Sequence, residues 1–188
     1  MTQEFKLQDL TSNPGPLGLY GFALTTILLN IHNAGFYGIS VMIMAMGVFY
    51  GGIAQLIAGI MEWKKGNQFG AIAFTSYGSF WLTLVFIWIA PNFGLPKANN
   101  IEMGCYLLFW GIFTLMFFLQ TFNGKKVGII FFGSLTLLFF LLAIGNFTQN
   151  ETILKIAGFE GILCGLVAFY EASALMINEK YKKNILPM

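Results

Sequence analysis

Thr25, Thr26, Asn30, Thr75, Ser76, Tyr77, Ser79, Thr83, Ser134 and Thr136 place hydroxyls and an amide inside long apolar stretches, and no Lys, Arg or Asp lies in the middle of any such stretch. A bare anion moved into a low-dielectric medium loses hydration worth on the order of tens of kcal/mol. Neutral dipoles offset part of that loss without trapping the ion, and conduction requires binding weak enough to release. With no fixed cation in these stretches, the pattern disfavours tight capture of an anion. A plainer account exists for each residue, because Ser and Thr in membrane helices often bond their own backbone or a neighbouring helix. Asn30 stands apart: a mid-stretch amide is costly without partners, so it belongs to a path or to a polar network.

Glu160 and Glu171 are eleven residues apart in the last apolar stretch. That is about three helical turns, which puts both carboxyls on one face. They suit a proton relay or a pairing at a subunit contact. The single histidine, His32, stands beside Asn33 at the end of the first stretch and suits an interfacial hydrogen bond rather than proton transfer. Cys105 and Cys164 fall in separate stretches and read as free thiols. With no metal-ligand spacing, no phosphate loop and no catalytic constellation, the expectation is no cofactor, no metal and no enzyme.

The elements that must hold these groups are helices in a bilayer. Of 188 residues, 57% are hydrophobic and 10% charged, against about 45–50% and about 25% in soluble domains. Six stretches reach the roughly 20 residues needed to span hydrocarbon, near 17–35, 40–61, 68–90, 103–122, 127–146 and 154–177. The fold class expected is therefore all-α and polytopic, with residues 1–188 as one transmembrane domain and no cleaved leader. Nothing points to nucleic acid; the partner is the lipid bilayer. All ten basic residues are lysines. Lys6, Lys64, Lys65, Lys125, Lys126, Lys180, Lys182 and Lys183 fall on one side of a six-span arrangement, and only Lys97 and Lys155 on the other. That bias puts both termini in the cytoplasm.

An internal repeat runs through the odd stretches as an aromatic–Gly start, a Leu–Thr pair and a closing Asn. The copies are Tyr20-Gly21, Leu24-Thr25 and Asn33; Tyr77-Gly78, Leu82-Thr83 and Asn92; Phe132-Gly133, Leu135-Thr136 and Asn146. Chance likeness among short apolar segments is the plainer account. Read as a repeat, it predicts three parallel helical hairpins around a pseudo-threefold axis, with helices one, three and five lining a central path. The fourth stretch is apolar nearly all round. It is expected to face lipid or another subunit, leaving Thr114 off the path. Small residues in the second stretch (Gly47, Gly51, Ala54, Ala58) and the sixth (Gly161, Gly165) form surfaces where helix backbones can approach closely.

The first stretch opens with Asn13-Pro14-Gly15-Pro16-Leu17-Gly18-Leu19. Prolines there do little harm, because the first turn of a helix has no partner for its N–H groups. The run resembles the N-P-A-P-L-G-L signature of the acetate/succinate permease family, with Gly15 in place of Ala. Phe49-Tyr50-Gly51-Gly52-Ile53-Ala54-Gln55, Glu62-Trp63-Lys64-Lys65-Gly66-Asn67, Phe74-Thr75-Ser76-Tyr77-Gly78-Ser79-Phe80-Trp81 and Leu142-Ala143-Ile144-Gly145-Asn146 extend the resemblance over nearly the whole chain. It implies channel-like passage of acetate, succinate and similar small carboxylates. It also implies a pore in each protomer of a homohexamer in the cytoplasmic (inner) membrane, narrowed where Phe22, Tyr77 and Leu135 meet. The alternatives are a proton-coupled symporter on the same scaffold, ammonium transport as in some fungal relatives, and a non-conducting membrane scaffold.

Overall fold

A computed structural model describes residues 11–188, and Lys6 lies outside the described residues. Among the described residues the only regular structure is helical. The helices are α1 (Gly15–Asn33), α2 (Val41–Lys64), α3 (Gln68–Ile89, continued as a 3-10 turn over Ala90–Phe93), α4 (Asn100–Gln120), α5 (Lys126–Thr148) and α6 (Glu151–Tyr181). Among the described residues, the five from α2 to α6 are long and apolar enough to cross a membrane. The sixth helix, α1, has 19 residues and carries Thr25, Thr26, Asn30, His32 and Asn33 among its apolar ones. Those polar groups are tolerable because α1 is clasped by its neighbours rather than presented to lipid: Thr25, Thr26 and Asn30 are all buried.

Local chemistry sets the helix ends. The Asn13 carboxamide oxygen accepts from the Gly15 backbone N–H at 2.9 Å, and Leu17 and Gly18 both donate to the Pro14 carbonyl. The two prolines thus sit where donors are dispensable, and the Asn side chain serves a remaining one. Asn67 caps α3 by accepting from Gly70 N–H at 3.1 Å. Asn99 and Glu102 close a reciprocal capping box on α4. Asn150 caps α6, which at 31 residues measures about 46 Å and outruns a hydrocarbon core of about 30 Å.

One feature of α2 has no counterpart in the sequence pattern. Met46–Ala54 winds as a π-helix. Wide turns of this kind interrupt α-helices at functional sites more often than elsewhere. Here the widened stretch lies where three helices converge: a Cβ on Gly21 of α1 would stand 2.6 Å from the Tyr50 carbonyl oxygen, and one on Gly51 would stand 2.8 Å from the Trp81 ring of α3.

The bundle closes through two kinds of contact. Small residues bring α1 onto α6 and α2 onto α3. A Cβ on Gly165 would meet Ile27, and one on Gly59 would lie 2.8 Å from the Thr75 backbone nitrogen. The small-residue faces are thus used inside the protomer. Elsewhere, aromatic rings fill the space between helices: α3 meets α4 through Phe80–Tyr106 (5.6 Å, stacked) and Phe80–Trp110 (5.2 Å), and meets α5 through Phe80–Phe139 (5.2 Å).

The expectation for α4 needs correction. Only one side of it is turned outward, with Phe109, Ile112 and Met116 exposed, while Gly104, Leu107, Gly111, Thr114 and Phe117 are buried. The reason is steric: Gly104 and Gly111 leave room for Phe147 and Phe140 of α5. A hydropathy pattern cannot register that inner face, because its residues are as apolar as those facing lipid.

Candidate functional site: two vestibules and an aromatic plug

At the lysine-rich end of the bundle, the first halves of α1, α3 and α5 and the later parts of α2 and α6 surround a cavity of about 250 Å³. Its polar lining comes from Asn13, Gln55, Glu62, Asn67 and Glu171. Its apolar lining includes Phe22, Tyr77, Phe131 and Phe132. At the other end, Lys97, Asn100 and Asn146 join Ile39, Trp88 and Pro91 around a second cavity of about 370 Å³.

Packed rings close the inner side of the first cavity. Phe22 meets Tyr77 edge-on at 6.1 Å and Phe131 at 5.1 Å. Leu135 is 1% exposed and belongs to the same buried cluster, as does Tyr77 at 2%. The three residues come one each from α1, α3 and α5. Tyr77 is fixed by its hydroxyl, which shares a 2.9 Å hydrogen bond with that of Thr114, and the Thr114 hydroxyl in turn bonds the Trp110 carbonyl at 2.7 Å. Thr114, expected off the path, therefore holds the Tyr77 ring in place. Thr114→Val is expected to loosen Tyr77 and change solute flux, with the fold intact, since one net hydrogen bond is worth about 1 kcal/mol. Unchanged flux at unchanged stability would remove Thr114 from the site.

The expected polar path is only partly gathered together. Thr25 is fully buried and donates to the Met46 carbonyl at the start of the π-turn, at 3.3 Å. Thr26 is buried, and its hydroxyl has no hydrogen-bond partner. Asn30 donates to the Thr26 carbonyl and accepts from Asn33, making a network where α1 crosses α6. Thr136 bonds the Phe132 carbonyl of its own helix. Thr75, Ser79 and Thr83 form a ladder at four-residue spacing along another face of α3 than Tyr77, each bonding the carbonyl one turn before it. Thr83 also meets the Tyr106 hydroxyl at 2.8 Å. Ser76 is half-buried beside them. Thr25, Thr83 and Thr136, equivalent in the repeat, thus have three different surroundings.

The remaining candidates are placed as follows. His32 Nδ1 lies 2.8 Å from the Tyr37 carbonyl, an interfacial contact just beyond α1. Ser134 donates to one oxygen of Glu160, whose other oxygen is buried and unpartnered. Glu171 is on the same helix but lines the vestibule. Within the signature, Gly18 and Leu19 are buried, and a Cβ on Gly18 would meet the Phe74 ring at 2.5 Å. Pro14 and Pro16 are buried and Leu17 is partly outward.

Sequence reasoning missed Gln55, Glu62 and Asn67. Glu62 is 5% exposed and accepts from the Asn67 amide at 2.8 Å, joining the end of α2 to the cap of α3. Gln55 is 1% exposed with its carboxamide oxygen unpartnered. The spacing of Glu62 and Asn67 across Gly66, a glycine with φ of 74°, was the available signal: a carboxylate ending one helix and an amide opening the next, joined by a tight turn. Among the described residues no group of His, Cys, Asp or Glu is arranged to hold a metal ion.

The model of the GPR1/FUN34/yaaH family matches residues 5–187. The succinate-acetate/proton symporter SatP of Escherichia coli K12 is 53% identical over 178 residues, 94% of this chain and 95% of that one. Acetate permease A of Emericella nidulans is 33% identical, covering 94% of this chain and 65% of that one. A solved structure titled as the bacterial acetate channel SatP superposes with a TM-score of 0.93 at 51% identity, covering 95% of this chain and 99% of that one.

Proposed function

The chain belongs to the GPR1/FUN34/yaaH family, and from that membership we propose that it carries acetate and small carboxylates such as succinate across a membrane. The observation that carries this reading is the pair of vestibules on opposite ends of one protomer, parted by the Phe22–Tyr77–Leu135 plug. Each protomer then holds its own path. Phe22, Tyr77 and Leu135 form the gate; Thr25 and Thr136 flank it with neutral dipoles, and Thr26 offers an unpartnered hydroxyl. Asn13, at the mouth, orients the opening turn of α1. Thr75, Ser76, Ser79 and Thr83 serve helix packing in this reading, as does Asn30. The three hairpins are arranged about a pseudo-threefold axis, and the protein works as a homohexamer in the cytoplasmic membrane.

Two mechanisms are open to this scaffold. Two cavities parted by one short apolar constriction, with neutral dipoles beside it, support channel-like passage. The unpartnered Glu160 oxygen next to Ser134 supports proton coupling, since a carboxyl inside a membrane helix is a natural proton site. Purified protein in liposomes distinguishes them. Labelled acetate that equilibrates and stops indicates a channel; accumulation beyond the acetate electrochemical gradient when a pH gradient is imposed indicates coupling. No flux above protein-free liposomes would reject transport altogether.

Orientation follows from lysine. A Cys introduced at Lys97, beside the second vestibule, is expected to react with an impermeant thiol reagent added outside intact cells, and one at Lys125 is expected to react only after lysis. The opposite pattern would invert the topology. The exposed native Cys105 is replaced by Ser beforehand.

A further inference from the structure

We infer that Glu171 sets charge selectivity at the lysine-rich mouth, favouring singly charged carboxylates over dicarboxylates. The inference rests on the transport reading above and names a property of the same site.

The cavity there is lined by two carboxylates, Glu62 and Glu171, and by no lysine. They are not equivalent. Glu62 takes a hydrogen bond from Asn67 and lies against Gly15, so the amide and the positive end of the α1 dipole offset its charge. Glu171 receives no hydrogen bond from any described residue, and Lys125 is the cation whose charge acts on it. The cavity is bounded by aromatic rings, and low-dielectric walls focus the field of a charge into the space they enclose. An anion entering meets that field in proportion to its own charge: a dianion such as succinate at neutral pH feels twice the repulsion of acetate. Passage of a monoanion survives because the field is modest in a hydrated mouth. Discrimination arises because the same field acts on the dianion twice.

The opposed signs of Glu171 and Lys125 provide the test. Labelled acetate and succinate exchange are measured at neutral pH in liposomes containing wild type, Glu171→Gln, Lys125→Gln or Glu179→Gln. Glu179 is exposed near the end of α6 and lines no part of the cavity. In Glu171→Gln the succinate-to-acetate flux ratio is expected to rise about three- to tenfold at low salt, the size one unit charge produces through a partly hydrated medium. In Lys125→Gln it is expected to fall, and in Glu179→Gln to stay at the wild-type value. The difference should shrink as the Debye length drops from about 30 Å at 0.01 M to about 3 Å at 1 M salt. If Glu171→Gln folds poorly, the fall in Lys125→Gln and its salt dependence decide alone. Wild type that passes acetate with a ratio indifferent to both variants overturns the inference and leaves the transport reading standing. Wild type that passes neither anion overturns the transport reading instead.

Discussion

Replacing Phe22, Tyr77 or Leu135 by Ala is expected to raise acetate flux severalfold per folded protomer and to relax selection against larger carboxylates. Each residue is almost completely buried, Phe22 and Tyr77 line the inner wall of the first cavity, and in the proposed reading the three close the path. A gap closed by apolar side chains gates by excluding water, so an anion passing it must shed hydration that no side chain there replaces. Shortening one ring or one isobutyl group admits water and lowers that barrier. The same change removes core packing worth about 2–5 kcal/mol for Leu and about 3–5 kcal/mol for Phe, so flux must be normalised to folded, membrane-inserted protein. Tyr77→Phe separates the two effects. It keeps the ring and loses only the bond to Thr114, so it is expected to leave the gate largely closed while resembling Thr114→Val. Should all three Ala variants fold and conduct as wild type does, the residues are ordinary core and the barrier lies elsewhere.

Much of this arrangement was legible in the sequence. Six apolar stretches became six helices, and the Asn13–Leu19 run marked the start of α1 where its prolines are harmless; Phe22, Tyr77 and Leu135, singled out by the family resemblance, lie in one buried cluster. What escaped did so for physical reasons. The π-turn at Met46–Ala54 depends on how three helices crowd around Gly21, Gly51 and Gly52, and local propensity carries no trace of that crowding. Thr114 was set aside because hydropathy cannot tell a lipid-facing aromatic helix from one whose inner face supports a neighbour's tyrosine. The polar ladder Thr75–Ser79–Thr83 looked like a lining because polarity was counted and direction was not; a four-residue spacing lets each hydroxyl satisfy itself on the carbonyl one turn back. Glu62 and Asn67 were quoted as part of a family block and passed over as a site, since their bond forms only when the end of α2 turns back on the start of α3.

The heaviest loss of stability is expected from adding a single methyl group where α1 crosses α6. A Cβ on Gly158 would lie 2.3 Å from the Ala34 backbone nitrogen and 2.6 Å from the Asn33 carbonyl carbon, and one on Gly161 would lie 2.2 Å from Asn30 Cγ. Overpacking a core typically costs about 1–3 kcal/mol, and occasionally more. The two sites differ in what must yield. At Gly158 the obstacle is backbone, so Gly158→Ala must push the helices apart along their length and is expected to lower the yield and the unfolding temperature of folded protein more than any other change in the set. At Gly161 the obstacle is a side chain, and moving it breaks the bonds from Asn30 to the Thr26 carbonyl and from Asn33 to Asn30, each worth about 1 kcal/mol net. Gly161→Ala should therefore be rescued in part by Asn30→Ala, which removes the obstacle, and that coupling is what a double-mutant cycle reads. Gly158→Ala should gain nothing from the same second change. Gly128→Ala serves as the reference, because nothing stands within 4 Å of a Cβ there and Ala is the better helix former by about 1 kcal/mol. Thermal unfolding of the purified variants in detergent ranks them: Gly128→Ala at or above wild type, Gly161→Ala below it and recovering with Asn30→Ala, Gly158→Ala lowest. A Gly158→Ala protein as stable as wild type would mean that α1 and α6 do not meet as closely as their glycines require.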